Sequence, residues 1–328
     1  MGRQLRGTIM LFMTALIWGT AFVAQKSGMD TMSPLAFNGI RTLIGGIALL
    51  PVIYIMTKVA KKKGTYHEET PEEKKTLWIG GICCGIALML AGNIQQVGMC
   101  YTSAGKTGFI TALYVILVPL LGLVLRKKIR PIFWACVAAS AVGLYLLCIP
   151  ADGGFGEVNK GDLIILLCSL MFAFHILTID HFSPKADGVK MSCIQFFVAG
   201  GLSCILAIFV DPALGFTLPG MSNILACWFN ILYAGIMSCG VAYTFQVVAQ
   251  ADVEPTLASM ILCLESVFAV LAGAVILGEA MGAREIIGCG RSGFSHTYCA
   301  NVMIDAIAAL SSPPRSVVPS VRIRSCPT

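Results

Sequence analysis

The chain has 328 residues, of which 57% are hydrophobic and 12% charged, with a mean hydropathy of +0.82. That composition lies outside the range of water-soluble domains and leaves little soluble mass for a separate catalytic domain. The net charge of +6 does not call for nucleic acid, because the basic residues gather in loops beside apolar segments and Glu68, Glu69, Glu72 and Glu73 interrupt the main basic run.

A bilayer core takes about 20 apolar residues per helix. Taken in chain order, nine segments qualify, near residues 7–25, 34–57, 77–97, 103–125, 131–149, 161–180, 190–210, 223–247 and 256–277. Arg3 and Arg6 precede the first segment in the manner of a secretory signal, but no small-x-small cleavage site follows it. Eight further spans favour an uncleaved first helix. Loop 58–75 carries Lys58, Lys61, Lys62, Lys63, Lys74 and Lys75, and loop 126–130 adds Arg126, Lys127, Lys128 and Arg130. With alternating spans, both loops fall on the side of Arg3 and Arg6, so the positive-inside rule places the N-terminus in the cytoplasm. Most of the fourteen cysteines sit in or at the ends of apolar spans, where they behave as small hydrophobes. No CxxC pair occurs, so neither a disulfide framework nor a metal site is expected.

The chain also resembles itself. Residues 7–148 and 161–288 lie over one another as two five-helix halves joined by the polar linker Pro150–Lys160. A shift of 151 positions superposes Gln95 on Gln246, Val97 on Val248, Ile110 on Ile261, Leu113 on Leu264, Gly122 on Gly273 and Val124 on Val275. Shifts of 154 and 155 bring Gly7 onto Gly161 and Gly45–Gly46 onto Gly200–Gly201. An odd number of crossings per half turns the second copy upside down in the membrane. Inverted repeats with a ligand site at their interface are a common transporter construction.

Particular motifs add a family resemblance. Ala15-Leu-Ile-Trp18-Gly19-Thr-Ala-Phe22, with Arg41 in the second span, resembles the opening of the EamA-type transporters of the drug/metabolite transporter superfamily. Tyr101-Thr102-Ser103-Ala104 is similar to the family's lead into its fourth helix. Ala258-Ser259-Met-Ile-Leu-Cys-Leu-Glu265-Ser-Val-Phe268-Ala269 and Leu277-Gly278-Glu279 resemble its second-half signature, with Ser266 where the family usually has proline. The resemblance spans about residues 8–288. It implies an all-α integral membrane protein on a ten-helix plan of inverted five-helix halves that moves small metabolites. It leaves open which metabolite, the direction and the coupling ion.

The C-terminus departs from that plan. A tenth helix should begin near Ala283, yet the chain reads Gly290-Arg-Ser-Gly-Phe-Ser-His-Thr-Tyr-Cys299, and Asp305 interrupts the next apolar run. The expected domains are 7–148, an inverted second half at 161–303 with a degraded last helix, and a polar tail at 304–328 rich in proline and arginine. A change of reading frame after about Gly288 is one explanation, which translating the DNA in its other two frames tests.

Glu265 falls at the middle of the ninth span. A central carboxylate costs about 2.5–3.5 kcal/mol on insertion scales, enough to demand a partner or a cavity. It reads either as a substrate or proton site or as a protonated carboxyl bonded to a neighbouring helix. The 151-residue shift puts Tyr114 at the equivalent place in the fourth span, with Ser103, Thr107 and Thr111 on the same helical face. Those hydroxyls either line a pathway or bond to their own carbonyls one turn back. Gln95 and Gln246 are repeat-related and suit a pathway lining or interhelical glue, with Asn93 close by. Trp18 suits a cavity wall or plain packing, and Arg41 a site role or snorkelling to the interface. His175 is a weaker proton-relay candidate. It shares no helical face with His181, which argues against metal. Gly45–Gly46 and Gly200–Gly201 read as close packing points around which the halves could rock.

No nucleotide-binding loop is present, so neither a cofactor nor ATP drive is expected. The expected partners are a small-molecule substrate, the bilayer and a coupled proton as an option, with no nucleic acid and an open oligomeric state. The leading reading is a secondary transporter working by alternating access. Its rivals are a membrane enzyme acting on a lipid-linked substrate, which would need a cluster of acid, base or metal groups, and a non-transporting sensor or scaffold.

Overall fold

The computed structural model describes residues 3–124, 134, 138 and 160–276. The predicted span 131–149, most of the linker and everything after residue 276, with the expected tenth helix, the tail and the frame change, lie outside the described residues. Among the described residues all regular structure is helical, and eight stretches are long and apolar enough to cross a membrane. They coincide with eight of the nine expected spans.

In chain order the helices are α1 (Arg3–Gly28), α2 (Pro34–Lys62), α3 (Pro71–Met99), α4 (Ala104–Thr111), α5 (Tyr114–Val124), α6 (Lys160–Phe182), α7 (Gly188–Ala213), α8 (Met221–Ala226), α9 (Trp228–Leu232), α10 (Thr244–Gln250), α11 (Pro255–Leu262) and α12 (Glu265–Ile276). A π-helical stretch, Tyr233–Tyr243, joins α9 to α10 in one continuous span. Proline opens α2, α3 and α11, where its missing N–H costs nothing. Thr70 and Glu73 close a capping box at the start of α3, and Asp187 accepts from Val189 N and Lys190 N at the start of α7. Large apolar side chains such as Phe209, Val124 and Val275 point outward, as suits spans long and apolar enough to cross a membrane.

The fourth and ninth spans are each broken, at residues 151 apart. The first breaks at Ala112–Leu113 and the second at Cys263–Leu264, each after an eight-residue helix. The backbone bonds at the two breaks also correspond. Leu113 N donates to Ile110 O as Leu264 N does to Ile261 O, and Val115 N donates to Ala112 O as Ser266 N does to Cys263 O, all at 3.0–3.1 Å. These are tight i→i−3 bonds, a short 3₁₀ interruption of the sort found at functional hinges. Tyr114 and Glu265 are the first residues beyond them.

Packing runs mainly between the first and second parts of the chain. α2 lies on α7, α3 on α6 and α7, and α1 on the π-helical stretch, α10 and α12. α4 touches α12, while α5 touches α11. A Cβ on Gly7 would stand 3.4 Å from Ala249 O, and one on Gly161 would stand 2.9 Å from Gly98 O. Gly98 and Ala249 are themselves 151 residues apart, so each part rests a glycine on the matching turn of the other. Of the repeated glycine pairs, Gly45, Gly46 and Gly200 do meet neighbouring helices. Gly201 has nothing within 4 Å and is not a packing point.

Candidate solute-binding cavity

The breaks aim two polar side chains at each other. Tyr114 Oη donates to Glu265 Oε1 at 2.9 Å, with both residues buried, at 2% and 3% exposure. Small neighbours on α12, Ala269 and Ala272, let other helices come close to this point. The carboxyl therefore has a hydrogen-bond partner on another span, which offsets part of the cost of placing it there.

Around this pair lies a cavity of about 20 Å³, lined also by Trp18, Arg41, Gln95, Thr111 and Gln246. That is room for about one water molecule. Seven of the nine residues singled out from sequence thus meet at one place. Thr107 and His175 stand outside the lining. Thr107 is buried and donates to Ser103 O, its own carbonyl one turn back, at 2.8 Å. His175 is fully buried one layer away, 3.2 Å from Gln195 Oε1 through Nε2, with its ring 5.9 Å from that of Tyr243.

Each lining group is held by a neighbour. Gln95 Nε2 donates to Thr111 Oγ1 at 3.1 Å, fixing α3 against α4. Arg41 does not snorkel. It is 3% exposed, and its Nε donates to Asn38 Oδ1 at 3.1 Å. Asn38 in turn donates to Asn93 Oδ1 at 2.8 Å, so Asn93 serves as interhelical glue. Trp18 Nε1 donates to Ser238 O at 3.2 Å, and its ring packs 4.5 Å from that of Tyr243. Gln246 Oε1 has no protein partner and is free to accept from a solute or a water. One carboxyl, one guanidinium, amides and an aromatic wall therefore face a single small space.

Phe22, Gln25, Phe172, Ile176, Ser238 and Tyr243 complete the lining, and sequence reasoning passed them over. Phe22 and Gln25 follow Trp18 by four and seven positions, so helical periodicity alone could have found them. Ser238 and Tyr243 belong to the π-helical stretch, where ordinary periodicity misplaces side chains.

Comparison with known proteins agrees with this architecture. The model of the EamA-like transporter family matches residues 5–149 and again 159–295. An uncharacterized transporter of Archaeoglobus fulgidus is 30% identical over 280 residues, covering 84% of this chain and 80% of that protein. The uncharacterized inner membrane transporter YedA of Escherichia coli is 25% identical over 284 residues, covering 85% of this chain and 86% of its own. A solved crystal structure covers 92% of this chain and 98% of its own with a TM-score of 0.67 at 18% identity, a likeness of fold alone. The chain belongs to the EamA-like transporter family and is a multi-pass integral membrane transporter.

Proposed function

We propose that the chain is a secondary permease for a small metabolite, amino acid or drug, built as two inverted five-helix halves, 7–148 and 161–303, with the tail 304–328 outside them. The N-terminus and loop 58–75 face the cytoplasm. Solute is held at the Tyr114–Glu265 cavity, and the halves move against one another to expose it to each side in turn. The observation that carries this reading is the contact between Tyr114 and Glu265. They are equivalent positions of the two halves, and they meet inside a polar cavity between broken spans. The matching break geometry and the reciprocal seating of Gly7 and Gly161 support the two-fold arrangement.

Within the cavity, Glu265 suits a cationic group and Arg41 an anionic one. Glu265 can exchange its pairing with a bound cation for a proton as that cation leaves, which couples the two movements. The test is reconstitution into liposomes with flux measured across a panel of amino acids, other metabolites and cationic drugs. Flux without product formation is expected. Product formation would favour a membrane enzyme, and neither flux nor product would favour a sensor or scaffold.

A further inference from the structure

A second and larger space lies far from the Tyr114–Glu265 pair. It measures about 450 Å³ and opens where the end of α2 and the α2–α3 loop meet the turn between α6 and α7. Its mouth is polar, with His67, Glu69, Lys185 and Lys190, and its floor is apolar, with Ile53 and Leu77. Leu77 is also part of a buried cluster with Cys84, Ile179, Met191 and Val247, drawn from α3, α6, α7 and α10. On α6 and α10 that cluster adjoins the lining of the central cavity. Ile176 lies three residues before Ile179, Gln246 adjoins Val247, and both line the cavity. On those two helices the apolar cluster therefore stands between the large cleft and the central site, while on α3 Leu77 of the cleft is 18 positions from Gln95 of the cavity, about 27 Å along the helix.

The two faces of the molecule are held differently. At the start of α2, Asp211 of α7 is fully buried and accepts from Leu35 N and Ala36 N at 3.2 and 3.1 Å. Charge-assisted bonds out of water are among the stronger polar contacts. At the other end of α2, beside the cleft, the α2–α3 loop is tied to α7 by the ion pair Glu69–Lys190, whose side chains are 21% and 28% exposed. Partly solvated pairs contribute little and break readily. The nearby His67–Glu73 pair, at 3.1 Å, stays within the first half and holds nothing across. Among the described residues, the cleft face is closed by the weaker of these two contacts.

We infer that the cleft is the vestibule through which a small polar solute reaches the central cavity, that Leu77, Ile179, Met191 and Val247 form its gate, and that Glu69–Lys190 latches the gate shut. This rests on the transport reading. Opening the gate wets the apolar cluster, and Cys84, which has no exposure when it is closed, is a native thiol within that cluster.

Cys84 therefore reports the gate without any knowledge of the solute. The full-length protein in lipid nanodiscs is treated with a small charged methanethiosulfonate, and labelling of each cysteine is read by fragmentation mass spectrometry. Glu69→Lys and Lys190→Glu should each raise the Cys84 labelling rate about fivefold. The double reversal Glu69→Lys/Lys190→Glu should return it to the wild-type rate. Leu77→Ala should raise it with the ion pair intact. Cys227, buried beside Met32 and Phe37 away from the cleft, should stay protected throughout.

An unchanged Cys84 rate in both charge reversals would overturn the latch, and an unchanged rate in Leu77→Ala would overturn the gate. Labelling of Cys227 in step with Cys84 would show general loosening and overturn both. Solute flux takes no part in this readout, so its failure tells against the vestibule alone, whereas absent flux in liposomes tells against the transport reading.

Discussion

Tyr114 and Glu265 are 151 residues apart in the chain and 2.9 Å apart in space, the phenol donating to a carboxyl oxygen. Residues that hold equivalent positions in two halves can touch only where the axis relating those halves passes. On the proposed two-fold arrangement this hydrogen bond marks the pivot of the molecule. A pivot that is also polar is a place where ligand binding and relative motion of the halves are the same event.

Tyr114→Phe removes the donor and leaves a buried carboxyl oxygen without it. The expected loss is about 1–2 kcal/mol of stability, the scale of interhelical hydrogen bonds and of buried unsatisfied groups. Denaturation in mild detergent of Tyr114→Phe, Glu265→Ala and the double variant, each single change removing one partner of the bond, gives a coupling energy by a double-mutant cycle. A coupling near zero would mean that the bond does not form.

Helix α1 meets α12 at a glycine. A Cβ on Gly19 would lie 2.3 Å from Phe268 Cβ and 2.8 Å from Ala269 N, and backbone cannot move aside as a flexible side chain can. Gly19→Ala should cost about 1–3 kcal/mol by overpacking. Gly201→Ala, with nothing within 4 Å, should be neutral or slightly stabilising, since alanine suits a helix better. Thermal unfolding of the two variants checks the contrast, and equal effects would contradict this packing.

Asp211 caps the start of α2 from α7 with both carboxylate oxygens. Asp211→Ala strands two buried N–H groups and should destabilise by about 2 kcal/mol or more, while Asp211→Asn keeps one acceptor and should cost less. Chemical denaturation ranks the two, and the reverse order would contradict the cap.

Much of this site was legible in the letters, for identifiable reasons. Glu265 stood out because a carboxyl amid twenty apolar residues is expensive, and the 151-residue shift then selected Tyr114. The shift gives equivalence but not distance, so the contact itself had to be seen. Arg41 could not be decided from sequence, because an arginine near a helix end either snorkels or turns inward. The outcome depends on Asn38, whose side chain is held by Asn93 of another helix. The breaks before Tyr114 and Glu265 were also hidden, since neither carries glycine or proline. Thr107 and Thr111 look alike in sequence, yet one bonds its own helix and the other accepts from Gln95.

Topology follows from the loop lysines. The N-terminus and loop 58–75 should face the cytoplasm and the Pro150–Lys160 linker the outside. Cysteines introduced at Thr65 and Asn159 should be labelled by a membrane-impermeant maleimide, in intact cells, only at Asn159. Labelling at Thr65 instead would invert the arrangement.

The most direct test of the central claim compares net flux driven by a pH gradient in wild type and Glu265→Gln, both in liposomes, using a solute found to be carried by the wild-type protein. Glutamine keeps the shape and can still accept from Tyr114, so folding and insertion should survive. Wild-type flux should follow the gradient, and the Glu265→Gln response should collapse. If both proteins respond to the gradient alike, Glu265 does not couple protons to transport, and its carboxyl is a structural partner of Tyr114.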